Sequence, residues 1–116
     1  MIVLFKKIVD KRPWGRFEQF AANEKCSVKL LYAKKGRRNS YQRHKSRSEF
    51  WHVVYGHVAV TLNGRKIRLA AGGEVTIPAG AKHRFFGVTD AVILEMIHGR
   101  FDEKDVIRLQ DDFNRK

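Results

Sequence analysis

Gln42 and His44 stand two apart, and Glu49 follows at the head of a run rich in aromatic and β-branched residues. In a strand, residues two apart point to one side of the sheet, so Gln42 and His44 can aim at a common point. A hairpin partner beginning at Glu49 brings a carboxylate to the same place. An imidazole, a carboxylate and an amide oxygen converging in this way form a donor set for a divalent metal. The competing reading is a polar hairpin tip with a solvated histidine. A second stretch, Gly72 to Arg84, carries Pro78 and Gly80, whose tight turn hands His83 to the next strand with its ring free to point inward.

The elements that must position these groups are short strands. Phe17 to Phe20 is one. Ser27 to Ala33 reads as half-buried, with Val28, Leu30 and Tyr32 on the apolar face and Lys29 on the other. Glu49 to Tyr55 follows, then an alternating pair around Asn63-Gly64, the strongest two-residue hairpin signal in the chain. Glu74–Ile77, His83–Phe86 and Ala91–Ile97 complete the set, and Val106 to Leu109 can lie along the body. Lys11 to Gly15, with Pro13 and Trp14, is a turn bracing the barrel's end. No helical stripe exceeds two turns. The chain is therefore expected to be an all-β barrel or sandwich.

Composition narrows the partners. The 116 residues suit one domain, and no apolar run approaches the ~20 residues of a membrane helix. Met1 to Phe5 is too short for a signal-peptide core, and the single Cys26 suits a reducing compartment, so a cytoplasmic protein without a membrane partner is expected. Twenty-four Lys and Arg against twelve acids leave a net charge of +12, which attracts anions. The basic residues are scattered, and the clusters Lys34 to Arg38 and Arg43 to Arg47 abut the candidate site. That favours a small anionic ligand, and no nucleic-acid partner is expected since no nucleic-acid module is visible.

The two stretches read G-x5-Q-x-H-x4-E-x6-G, from Gly36 to Gly56, and G-x5-P-x-G-x2-H, from Gly72 to His83. This pair resembles the two motifs of the cupin family, with Gln42 in place of the usual first histidine and Gly87 in place of the usual asparagine. With the flanks included, the resemblance narrows. Arg12-Pro13-Trp14-Gly15, then Gln42-x-His44-x-x-Arg47-x-Glu49-x-Trp51, then Ile77 to Arg84, is similar to type II phosphomannose isomerase, as are Glu95-x-x-x-Gly99-x-Phe101 and Asp105-Val-Ile107-Arg108 in the tail. The chain departs from that pattern at Lys45, Ser46 and Phe50, where the family keeps histidines, and at His98.

The resemblance implies a small cupin, a double-stranded β-helix or jelly-roll barrel, in one domain over 1–116. Residues 1–15 would be an N-terminal strand and turn, 16–98 the barrel core and 99–116 a tail packed on it. It implies one divalent ion (Zn, Mn, Fe, Co or Ni) on Gln42, His44, Glu49 and His83, and interconversion of mannose 6-phosphate and fructose 6-phosphate through an enediol. At this length an accompanying transferase domain is not expected. The reaction needs a base, for which Glu95 and Lys82 are unranked candidates and Glu18 a weaker third. The phosphate needs donors: Arg47 first, then Arg84, which follows His83 and so faces away in a regular strand. Trp51 would wall the pocket or stack on a sugar. His52, His57 and His98 are left out. A homodimer is implied, and the rival functions are a non-catalytic metal-bearing cupin for a sugar or nucleotide sugar, or an Fe²⁺ oxygenase.

Overall fold

The computed structural model describes residues 7–99, 102, 104–113 and 115; Phe101, one of the motif residues, lies outside them. The described residues form eleven strands. β1 (Ile8–Arg12) and β2 (Gly15–Gln19) form a hairpin of their own. β3 (Ser27–Ala33), β5 (Arg47–Tyr55), β8 (Glu74–Ile77) and β10 (Ala91–Gly99) make a four-stranded sheet in the order β3-β10-β5-β8. β4 (Tyr41–Arg43), β6 (His57–Leu62), β7 (Arg65–Ala70), β9 (His83–Gly87) and β11 (Ile107–Gln110) make a five-stranded sheet in the order β11-β4-β9-β6-β7. Every pairing is antiparallel. The two large sheets face each other across one core, a jelly-roll barrel as expected. No helix of the described residues is long and apolar enough to cross a membrane.

The core is built from alternate residues of both sheets. Trp51 and Val53 of β5 and Ile93 of β10 pack with Val58 and Val60 of β6, and Ile77 closes the layer. The same inward rows turn polar towards one end. β5 runs inward as Arg47, Glu49, Trp51, Val53, and the inward row of β3 is Lys29, Leu31, Ala33. β9 offers His83 and then Phe85. The barrel is thus amphipathic along its axis, with hydrocarbon filling one end and ionisable groups gathered at the other.

Turn chemistry sets these rows. Asn63 and Gly64 both have positive φ, 48° and 82°, as a type I′ turn demands, and they register Leu62 against Arg65. The tail is held by pairing of β11 with β4 and by Arg84, whose guanidinium donates to Asn39 O, Gln110 Oε1 and Gln110 O.

Two expectations need correction. Val28, Leu30 and Tyr32 do not face the core: they are 57%, 50% and 74% exposed, while Lys29 lies on the inner face. Interior polarity at this end of the barrel reverses the usual sense of the alternation. The boundary at residue 16 also shifts, because β2 pairs only with β1. This hairpin and its flanks cover the outer face of β5: Phe20 lies 4.8 Å from the His52 ring and 6.3 Å from Phe50, and Lys7 bridges Glu18 and Glu74. Trp14, at the hairpin tip, is 72% exposed.

Gly56, between β5 and β6, has φ 81°, and a Cβ there would sit 2.2 Å from Asp90 O. Gly64 has a similar φ but open space around it. Gly56→Ala is therefore expected to cost about 3 kcal/mol or more and Gly64→Ala about 1 kcal/mol, the latter from backbone strain alone. Urea denaturation of the two variants measures the difference.

Candidate metal centre

Glu49 sits at the middle of the polar end, 2% exposed. Strand alternation places Arg47 and Trp51 on its own side. Arg47 Nε donates to Glu49 Oε2 at 2.9 Å and Trp51 Nε1 donates to Oε1 at 3.1 Å. His44 Nε2 lies 3.2 Å from Oε2, and His83 Nε2 lies 3.7 Å from Oε1. The ligand atoms of His44, Glu49 and His83 all fall within 4.8 Å of one another, and all three residues are buried.

Both histidines have a fixed ring orientation. His83 Nδ1 donates to Ala81 O at 2.9 Å, and His44 Nδ1 to Asp105 O at 2.6 Å. With Nδ1 protonated, each Nε2 carries a lone pair directed into the centre. His44 Nε2 accepts from Arg47 Nη2 at 3.0 Å. His83 Nε2 is buried with no hydrogen-bond partner. A buried, unpartnered acceptor beside a carboxylate and a second imidazole fits a divalent cation, and two imidazoles with one carboxylate suit a first-row ion. Burial lowers the pKa of both rings, His83 to about 4, which keeps them neutral and able to ligate.

Gln42 comes from the neighbouring strand, registered opposite His83. Its Oε1 accepts from Ser40 Oγ, and its Nε2 lies 3.3 Å from His44 Nε2. The side chain therefore reaches the centre with its nitrogen leading, and an oxygen ligand would require the amide to turn over. The hairpin expected to join Gln42, His44 and Glu49 is absent: β4 and β5 belong to opposite sheets, and the three residues converge across the mouth of the barrel.

Glu95 is registered opposite Trp51, and Trp51 Nε1 donates to Glu95 Oε2 at 2.9 Å. Burial first, and then the Glu49 carboxylate, push Glu95 up to about 7. A cavity of about 150 Å³ opens beside it, lined by Gln42, His44, Arg47 and Glu95 with Lys29 and Arg108. Lys29 is registered opposite Glu95, and Arg108 opposite Gln42. Strand parity gave no warning of Lys29, whose neighbours suggested the opposite face, and Arg108 was seen only as part of the tail.

Other expected site residues lie elsewhere. Lys82 is exposed and lines no part of this cavity. Arg84 points to the outer face and holds the tail. Trp51 is 2% exposed, its ring edge-on to His83 and Phe85, so it floors the site and leaves no face for a sugar. Glu18 is outside, on the hairpin itself, and His52 lies beneath that hairpin, with His52 Nδ1 2.7 Å from Glu74 Oε2. Phe50 shares that outer layer, so its departure from the family pattern does not touch the cavity.

Asp105 is a positioning residue that sequence reasoning did not single out. Its carboxylate accepts from Lys45 N and Ser46 N at 2.8 and 2.9 Å, and its carbonyl fixes the His44 ring. Those two amides lower its pKa.

The profile of the family described as mannose-6-phosphate isomerase C-terminal matches residues 5–111. The chain belongs to this family of cupin domains. It is 36% identical over 107 residues to the mannose-1-phosphate guanylyltransferase ManC of Salmonella typhimurium, covering 90% of this chain but 22% of that protein. The chain thus spans about a fifth of the length of the curated relatives it matches. Among solved structures, KdgF from Halomonas sp. superposes with a TM-score of 0.65 at 21% identity, covering 73% of this cupin and 78% of KdgF. ChmJ, a 3′-monoepimerase from Streptomyces bikiniensis in complex with dTDP-quinovose, gives 0.73 at 11% identity, covering 88% and 66%. At these identities the likeness shows the cupin fold.

The buried histidines and Glu95 pull stability in opposite directions with pH. His83 has a folded pKa below its unfolded value, so its contribution is present above about 6.5 and lost as pH falls towards about 4. Glu95 has a folded pKa above its unfolded value, so its contribution is present below about 4.5 and lost as pH rises through about 7. In the metal-free protein Glu95 offsets part of the acid-side loss from His83 between these limits, while His44, also lowered by burial, adds to that loss. Glu95→Gln removes one slope and leaves an acid-side loss on the order of 3 kcal/mol between pH 7 and pH 4, readable as a falling urea midpoint.

Proposed function

We propose that the chain is a metal-dependent isomerase interconverting mannose 6-phosphate and fructose 6-phosphate. The supporting observation is the unpartnered His83 Nε2 facing His44 and Glu49, with Glu95, a carboxyl raised to about 7, at the edge of the same cavity. His44, Glu49 and His83 would hold one divalent cation, joined by Gln42 if its amide turns. Such a cation supplies Lewis-acid stabilisation of negative charge developing on the sugar's O1 and O2.

Glu95 is the base in this reading, since Lys82 is outside the cavity. As carboxylate it takes the C2 proton of the open-chain aldose, and the C–H electrons form the C1–C2 double bond of the enediol. The C1 carbonyl electrons move to O1, which takes up a proton. The proton on Glu95 then returns to C1 as the C2 carbonyl forms, and the proton released from the O2 hydroxyl replaces the one taken up at O1. A pKa near working pH suits a group that must both accept and return a proton. Lys29 and Arg108 at the cavity rim, with Arg47 inside, are the cations placed to meet the phosphate.

A second reading, a metal-bearing cupin that binds a sugar or nucleotide sugar without turnover, draws on the dTDP-quinovose named with ChmJ and on a cavity of only about 150 Å³, below the usual range of ligand pockets. A coupled assay of purified protein with Zn²⁺, Mn²⁺, Fe²⁺, Co²⁺ or Ni²⁺ separates the two. The isomerase reading expects turnover that chelator abolishes, a kcat lowered about 10²–10⁴-fold in Glu95→Gln, a raised KM in Arg108→Ala and little change in Lys82→Ala. Sugar-phosphate binding with no turnover under any of these metals would leave only the binding module.

A homodimer and a reducing, cytoplasmic setting complete the proposal. β3 is an edge strand whose outward Val28, Leu30 and Tyr32 form an apolar row, as a subunit interface requires. Cys26 is free. Light scattering is expected to give twice the chain mass, and Leu30→Asp to shift it to the monomer.

A further inference from the structure

The outer face of the five-stranded sheet gathers positive charge that the sequence scatters. Ala59 lies between Arg68 on β7 and Phe86 on β9, and Arg38 bridges to Phe86 from the far side. One step along, Thr61 lies between Lys66 and Arg84. These side chains enclose a groove of about 360 Å³ with four cationic residues and no carboxylate in its lining. It lies on the opposite side of the sheet from the metal centre, since Val58, Val60 and Phe85, the alternate residues of the same strands, pack into the core.

The four cations do different work. Arg84 is occupied by Asn39 and Gln110, and Arg38 pairs with Asp112 at 2.7 and 2.8 Å. Burial first, and then the charge of Arg38, lower the pKa of Arg84. Lys66 and Arg68 are exposed and make no hydrogen bond or ion pair among the described residues. They stand two apart on one strand, able to close on a single phosphate. Phe86 is 38% exposed, and the small Ala59 beside it leaves room for a planar ring. Phe86 and Arg68 are two strands apart, roughly 10 Å, comparable with the reach of a nucleoside 5′-phosphate from base to phosphate.

We propose that this groove binds a free nucleotide, its base stacked on Phe86 above Ala59 and its phosphate held between Lys66 and Arg68. The site is separate from the metal centre and does not rest on the isomerase reading. A lone phosphate would need only the two cations, whereas the exposed aromatic beside a small residue selects a ligand with a ring.

Calorimetric titration of metal-free full chain with AMP, GMP, UMP, ribose 5-phosphate and a ten-residue oligouridylate tests this. At least one mononucleotide is expected to bind about 10-fold or more tighter than ribose 5-phosphate, in line with the worth of one base stacked on an aromatic. Phe86→Ala should erase that advantage, and Arg68→Glu should weaken both ligands about 10-fold or more. Ala59→Glu, which removes no packing, should give the same loss if Phe86→Ala fails to fold. Equal affinity for ribose 5-phosphate and all three mononucleotides would overturn the proposal. So would binding by the oligonucleotide alone, which would make the face a nucleic-acid surface, or loss of binding in His44→Ala, which would place the ligand inside the barrel.

Discussion

The structure depends on one buried carboxylate. Glu49 is withdrawn from water at the polar end of the barrel, where an unpaired charge would cost several kcal/mol. It is satisfied by Arg47 and Trp51 from its own strand and approached by two imidazoles, His83 of the opposite sheet and His44 just beyond β4. The same contacts that make the residue tolerable also make it a centre. Arg47 Nε and Nη2 reach Glu49 Oε2 and His44 Nε2 together, so the guanidinium supplies positive charge between two of the three prospective metal ligands. Within the His44, Glu49 and His83 triad, His83 Nε2 has no hydrogen-bond partner.

That arrangement is sustained by a division of the barrel interior. Each inward row changes character along its length, as in Arg47, Glu49, Trp51 and Val53. Trp51 stands at the boundary, with its indole N–H bridging Glu49 and Glu95 and its ring edge against His83 and Phe85. An amphipathic aromatic serves such a boundary well, because the ring joins the hydrocarbon core and the single donor serves the carboxylates. Burial first, and then the neighbouring Glu49 carboxylate, favour retention of a proton on Glu95, against the opposing pull of the Trp51 N–H.

The outer faces are divided as well. The four-stranded sheet presents an apolar row on β3 and is otherwise covered in part by the β1–β2 hairpin and its flanks. The five-stranded sheet presents cations. The tail ties the second of these surfaces to the candidate metal centre, since β11 pairs with β4, Gln110 receives Arg84 and Asp105 fastens the His44 loop. A high net charge spread evenly through a sequence therefore becomes a directional field once the strands are laid side by side.

The sequence by itself determined the all-β class and the turns at Asn63-Gly64 and Pro78–Gly80, and its resemblance to the cupin motifs brought forward His44, Glu49 and His83, with Gln42, as candidate ligands. These are local properties: strand alternation, turn chemistry and residue type act over a few positions. Arg47 and Trp51 sharing a side with Glu49 was legible for the same reason. Only the tertiary structure decided that Gln42 and Glu49 meet across two sheets and not within a hairpin, and that Lys29 and Arg108 line the cavity while Lys82 and Arg84 do not. Alternation says that two residues share a face, but which face is inner depends on what lies opposite. At the polar end of this barrel what lies opposite is charge, so β3 turns Lys29 inward and Val28, Leu30 and Tyr32 out.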